Sequence, residues 1–235
     1  MQVEGRNPTI ELLKSNHKIE SVYIQDRINV DEKIAYIQKL AKQANLQISY
    51  IPQNKLNHMS KTDSHQGVIA FVKQSEPPKL EEFINCKKHN LKFIYIKDAN
   101  HDHNIGAIIR TAECLGFDAV FLPKKIDITP NIIRASMGAF FHIPVFRQSI
   151  FQTIKNLSDQ GFKIVGIEIT PNSKDIFETE LSGDIMLIIG DEDKGISQEI
   201  LKKCNFSIKI PMRGKTNSLN MSVAASLAMF ETIRK

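Results

Sequence analysis

Long apolar stretches, paired cysteines and working phosphate loops are what this sequence lacks. No apolar run approaches the roughly 18 residues needed to cross a bilayer. The opening MQVEGRNPTIELLKS has no continuous apolar core of the secretory kind. The expectation is a protein that stays in the cytoplasm, with no membrane partner. Its three cysteines, Cys86, Cys114 and Cys204, are far apart and odd in number, which indicates neither a disulfide framework nor a paired-cysteine zinc site. Charge says little: 31 Lys and Arg against 26 Asp and Glu leave a net charge of +5, a lean toward polyanionic partners that many other proteins share. With 42% apolar residues in a chain of 235, one good core or two unequal ones can be buried.

Two segments imitate nucleotide-binding loops and fail. In IMLIIGDEDKGIS, Gly190 and Gly195 start the pattern, but Ile196 stands where the lysine is needed and three carboxylates would repel phosphate. In RGKT, Arg213 to Thr216, the required first glycine falls on Lys209. A calcium loop lacks its alternating ligands. His101 and His103, with Asp102 between them, have no third ligand at suitable spacing, so no metal is expected.

What is present is alternation. Up to Lys73 the patterns read as an amphipathic start at Ile10–Lys14, a strand at Val22, a helix from about Asp31 to Ala44, QISYI, and the strand HQGVIAFVK. QSEPPKLEEF then reads as a linker, dividing the chain into 1–76 and 77–235. Beyond it, apolar runs at Phe93, Ala119, His142, Lys163, Ile185 and Phe206 look like buried strands, separated by helical patterns at 105–115, 150–160 and 223–233. That order predicts an α/β fold with a parallel sheet covered on both faces, its ligands gathered at the carboxyl ends of the strands.

Three segments stand out. In HDHNIGAIIRTAECLG, Ile105, Ile108, Ile109, Ala112 and Leu115 form one helical stripe, with Asn104 placed as N-cap and Gly116 as the C′ residue. Arg110 projects from the opposite face, either as a solvated arginine or as one held over a phosphate. The acidic loop after Gly190 is the second. The third is IPMRGKTNSLN, feeding a helix rich in small residues, Ser222, Ala224, Ala225, Ser226 and Ala228, that would let another stretch of backbone approach closely.

Together, in this order and spacing, the three segments resemble the motifs of the SpoU (TrmH) family of RNA ribose 2′-O-methyltransferases, of the SPOUT class. Asn104, Gly106, Arg110 and Gly116 match the first motif, Gly190, Glu192 and Gly195 the second, and IPMRG with Ser218 and Asn220 the third. GRNPTIELLKS and HQGV resemble the accessory domain of the subgroup that methylates a guanosine of large-subunit ribosomal RNA, a small α/β RNA-binding domain similar to ribosomal proteins. The chain departs from many relatives in having His101 and Asp102 where they carry Asp-Pro.

The resemblance implies a C-terminal domain threaded into a deep trefoil knot, S-adenosylmethionine as methyl donor and a homodimer with shared active sites. It implies a catalytic set of Arg110, Asn104, Glu192, Ser218 and Asn220. Backbone around Ile189, Gly190, Ile210 and Leu219 would hold the cofactor, with Glu168 accepting from its ribose or standing as an exposed loop acid. Ribosomal RNA is the expected partner, with tRNA as the alternative. From another class, a non-catalytic RNA-binding or ribosome-assembly protein would share the fold, and the presence of all five catalytic-set residues argues against it.

Overall fold

A computed structural model describes residues 1–62, 64–74, 76–87, 90–191 and 194–234. In chain order the elements begin with β1 (Gln2–Glu4), α1 (Arg6–Lys14), β2 (Ile19–Gln25), α2 (Glu32–Gln43), β3 (Ile48–Ile51), α3 (Gln53–Met59) and β4 (Val68–Val72). They continue with α4 (Leu80–Cys86), β5 (Lys92–Ile96), α5 (Asp102–Cys114), β6 (Ala119–Leu122), α6 (Pro130–Ala135) and β7 (Val145–Arg147). The last are α7 (Ile150–Ser158), β8 (Lys163–Ile167), β9 (Lys174–Asp175), β10 (Ile185–Ile189), α8 (Gln198–Leu201), β11 (Phe206–Lys209) and α9 (Met221–Arg234).

The chain forms two compact units, Met1–Glu76 with Ile128–His142, and Pro77–Asp127 with Ile143–Lys235. The division read from sequence made no provision for Ile128–His142, which packs in the first unit. There the sheet runs β1-β4-β2-β3, with β2 and β3 parallel and β4 antiparallel to both β1 and β2. Val22 and Ile24 alternate with half-buried neighbours along β2 and meet Leu12, Ile34 and Ile37 from the helices. Asp31 caps α2 by accepting from the Ile34 amide at 3.0 Å. Ile133 and Phe141 complete this core. Gly138 makes the segment fit: its φ is +91°, and a Cβ there would lie 2.6 Å from Glu11 Cβ.

Glu4 is buried and accepts hydrogen bonds from Thr62, from Ser60 Oγ at 2.7 Å and from the Lys61 amide at 2.6 Å. Burial pushes its pKa up, and these bonds outweigh burial, so it lies below the ordinary carboxylate value.

The second unit holds a seven-stranded sheet, β7-β6-β5-β10-β8-β11-β9, parallel at every described pairing. All five residues of β10 are buried, as a strand with both faces covered requires. Phe93, Phe121, Phe146 and Phe162 pack on one another. In α5, Ile105, Ile108, Ile109 and Ala112 are buried. The helix closes at Gly116 (φ +71°) with the Phe117 amide on the Ala112 carbonyl at 2.8 Å, the C′ arrangement that favours glycine.

Two local expectations fail. The N-cap of α5 is His101, not Asn104, which sits inside the first turn with its amide on the His101 carbonyl. LEEF is not linker: the double proline ends the irregular stretch, and Leu80 opens α4.

Candidate active site

At the carboxyl ends of three adjacent parallel strands, β10, β8 and β11, the second unit has a cavity of about 280 Å³. Strand ends are where an α/β sheet leaves backbone groups without further ladder partners. The end of β8 and the turn after it supply Ile167, Glu168 and Ile169, the end of β10 and its following loop Ile189, Gly190 and Asp191, and β11 and the residue after it Ile208 and Ile210. Ser218, Leu219 and the first turn of α9 close the remaining side.

The loop after β10 turns back on itself. Asp191 and Gly195 form a bridge, and the Gly195 amide donates to the Asp191 carbonyl at 3.1 Å. A Cβ at Gly190 would lie 2.2 Å from the Gly195 carbonyl carbon, so only glycine permits this return. Gly195 has φ +57°, and a Cβ there would be 2.2 Å from Glu168 Oε2.

Half-buried Glu168 braces that loop. Its Oε2 accepts from the Ile196 amide at 2.7 Å and its Oε1 from the Ile169 amide at 3.0 Å. Behind it, Ser173 Oγ donates to the Glu168 carbonyl at 2.7 Å and lies 2.9 Å from Ser207 Oγ, fixing the turn between β8 and β9.

Of the residues singled out in sequence, Glu168, Ile189, Gly190, Ile210, Ser218 and Leu219 line this cavity. Asn104, Arg110 and Asn220 do not. Asn220 Nδ2 donates to Asn104 Oδ1 at 3.2 Å, joining the third motif to α5, while Asn220 Oδ1 accepts from the Ser222 amide at 2.9 Å and so caps α9. Arg110 is exposed on α5. Glu192 lies outside the described residues. Sequence reasoning did not assign Ile167, Ile169, Met212, Met221 and Ala224 to the site; the strand ends carried a signal for the first two, the IPMRG motif and the small-residue helix contained Met212 and Ala224, and nothing local marked Met221.

On the loop from β5 toward α5, Asp98 pairs with Lys125 at 2.6 Å and Lys97 at 3.2 Å. Burial raises its pKa, and the two ammonium groups outweigh burial, holding it low. Among the described residues no group of three His, Cys, Asp or Glu is placed to hold a metal, and no helix is long and apolar enough to cross a membrane.

The sequence profile of the SpoU rRNA methylase family matches residues 91–230, spanning the cavity and all three segments. The chain belongs to the SpoU methylase family. A second profile, for the substrate-binding domain of RNA 2′-O ribose methyltransferases, matches residues 2–78. A protein of Staphylococcus epidermidis, assigned to the TrmH family of tRNA/rRNA methyltransferases, is 39% identical over 239 residues, covering 99% of this chain and 95% of its own length.

Three solved structures share the fold. The SpoU methyltransferase AviRb from Streptomyces viridochromogenes, in complex with AdoMet, superposes with a TM-score of 0.84 at 20% identity, over 100% of this chain and 89% of that one. An AdoMet-bound rRNA methyltransferase from Sinorhizobium meliloti gives 0.79 at 21% identity, over 98% and 85%. The TrmH/SpoU tRNA-modifying enzyme of A. aeolicus gives 0.56 at 24% identity, over 66% of this chain and 82% of its own. This family of RNA methyltransferases uses S-adenosylmethionine.

Proposed function

We propose that this protein methylates a ribose 2′-hydroxyl of large-subunit ribosomal RNA, at a guanosine, in the cytoplasm and as a homodimer. The observation that carries the choice of RNA is the first unit. The substrate-binding profile matches it, and the rRNA methyltransferase structure covers nearly the whole chain whereas the tRNA-modifying one covers two thirds.

S-adenosylmethionine fits the cavity by wall chemistry. Ile167, Ile189, Ile208 and Leu219 offer apolar surface for an adenine, and Glu168 offers acceptors for ribose hydroxyls. A carboxylate has about four acceptor positions, and two are taken by the Ile196 and Ile169 amides. When bound, the cofactor supplies an electrophilic methyl, so the protein must hold the hydroxyl in line, neutralise the adjacent phosphate and help the proton leave.

Arg110 suits the second task. A guanidinium presents a planar fork of N–H donors that matches phosphate oxygens; Arg110 therefore acts as a phosphate clamp and activates the hydroxyl electrostatically. Asn104 and Glu192 would position it, and Ser218 and Asn220 would shape the loop beside the ribose.

Arg110 does not line the cavity of its own chain, which supports a site completed across a dimer. Beside it, Thr111 of α5, Leu115 just past its end, and Val223, Leu227 and Phe230 of α9 line an open apolar groove. Val223, Leu227 and Phe230 are about half exposed at 46%, 45% and 51%. Spaced four and three apart, they form one helical stripe, and a second copy of this face is the occupant it fits. The knotted threading expected of the class is supported by α9, which packs back across β8 and β10 after the chain has passed through β11.

The deciding experiment offers labelled S-adenosylmethionine with ribosomal or transfer RNA taken from cells lacking the protein. Label is expected at one ribose of large-subunit rRNA, blocking alkaline cleavage there. Label in tRNA alone would overturn the substrate choice.

A further inference from the structure

The first unit contains a larger cavity, about 760 Å³, that the reading above leaves unused. The end of α1 and its following turn supply Lys14, Asn16, His17 and Lys18; the end of β4 supplies Lys73 and Gln74. Phe141 and His142 form the remaining wall.

Two lysines stand side by side at its mouth. Lys18 immediately precedes β2 and Lys73 immediately follows β4, and the Lys73 amide donates to the Lys18 carbonyl at 2.9 Å, so the two residues stand opposite one another at the end of that strand pair. Both are exposed, and neither is ion-paired among the described residues. Like charges held next to one another on paired strands repel, which an anion between them relieves.

The third ammonium, Lys14, is tied to Glu11 at 2.9 Å, and the same carboxylate receives His142 Nε2 at 2.9 Å. Glu11 is thus engaged on both oxygens. His17 packs edge-on against Phe141 at 5.3 Å, with Nδ1 3.0 Å from Ser15 Oγ. Burial and the neighbouring His142 hold its pKa below the ordinary value, so near neutrality it contributes hydrogen bonding rather than charge.

The cleft therefore combines uncompensated ammonium groups with neutral polar groups at Asn16, His17 and Gln74. That is the chemistry of a sugar–phosphate backbone: cations for the phosphates, amides and imidazole for hydroxyls. A free phosphate would occupy only a small part of 760 Å³.

We propose that this cleft binds consecutive backbone phosphates of the RNA substrate, held by Lys18 and Lys73, an inference that rests on reading the chain as an RNA methyltransferase. Phosphate contacts carry no sequence information; the cleft sets the position of the RNA and leaves selection of the nucleotide to the methyl-transfer site.

The test uses the full chain with Lys18→Ala and Lys73→Ala combined, and two probes, a large-subunit rRNA transcript and bulk tRNA. Binding is measured between about 50 and 200 mM salt. Removing two phosphate contacts should flatten the plot of log affinity against log salt by about 1.4 to 1.8 for both RNAs. S-adenosylmethionine affinity and the melting temperature should stay at wild-type values. A control pair on α2, Lys39→Ala with Lys42→Ala, should keep the wild-type slope. A folded double variant with wild-type slope and affinity overturns the site, as does a control pair that flattens the slope equally. If the wild-type protein binds neither RNA in a salt-dependent way, the substrate reading itself fails and the site with it.

Discussion

Gly190→Ala tests whether the folded-back loop after β10 makes the cofactor pocket. Gly190 is not in the left-handed φ region, so the substitution acts by crowding rather than by left-handed backbone strain. Its Cβ would meet the Gly195 carbonyl carbon at 2.2 Å, the Gly195 oxygen at 2.4 Å and the Ile196 nitrogen at 2.7 Å. All three atoms are backbone, so no side chain can rotate out of the way. Reaching ordinary contact near 3.4 Å requires the 195–196 peptide to retreat by about 1.2 Å, the difference from 2.2 Å. The Ile196 amide belongs to that peptide, so the retreat disturbs its 2.7 Å bond to Glu168, a hydrogen bond to a carboxylate worth about 1.5–3 kcal/mol. Released from that amide, Glu168 also loses its orientation at the cavity.

S-adenosylmethionine affinity should then fall by roughly 10- to 100-fold, since about 1.4 kcal/mol corresponds to tenfold. Titration calorimetry on the variant measures it. Gly161→Ala gives the contrast: its φ of +84° is strained for alanine, but nothing lies within 4 Å of its Cβ. It should lose about 1–2 kcal/mol of stability and keep its cofactor affinity. A Gly190→Ala protein that binds S-adenosylmethionine within threefold of wild type would refute the reasoning.

Other expectations follow from separate features. Arg110→Ala should lose methylation of the RNA while binding cofactor normally; near-normal turnover would remove it from the catalytic set. Phe230→Asp places a charge in the apolar stripe of α9 and should shift the protein toward monomer in sedimentation, with no shift if that face stays open in solution. Glu4 has a lowered folded-state pKa, so its contribution is present above the unfolded value near 4.5 and is lost as pH falls through the folded one. Glu4→Gln should accordingly cost about 1–3 kcal/mol at pH 7, with the gap to wild type narrowing in melts below about pH 4. Gly138→Ala adds a Cβ 2.6 Å from Glu11 Cβ at a φ of +91° and should destabilise the first unit by about 2–5 kcal/mol in denaturant titrations.

The legible parts of this fold are those set by local chemistry. Five buried apolar residues make β10 a central strand wherever it sits, and a stripe ending in Gly116 announces both α5 and its end. The illegible parts are set by distant contacts. Asn104 has the side chain of an N-cap, yet α5 begins at Asp102 and the Asn104 side chain faces Asn220, 116 positions away. Ile133 and Phe141 look like any apolar residues between two strands of the second unit, but they pack in the core of the first. Nothing within a window of ten residues distinguishes the two destinations.

The candidate site divides in the same way. Ile210 and Leu219 carry no local mark and were reachable only through the family's motif order. In sequence Glu168 has two readings, an acceptor for the cofactor or an idle loop acid, and its geometry separates them better than its position does. An idle acid would be free in solvent, whereas both Glu168 oxygens are engaged by backbone amides, one from its own neighbour Ile169 and one from Ile196 in the second motif's loop. The residue thus has a reason to be present before any ligand arrives. Since a carboxylate retains acceptor positions after taking two amides, the bracing role and the ribose-accepting role are compatible, and the loop geometry that Gly190 and Gly195 permit is what would hold those remaining positions toward the cavity.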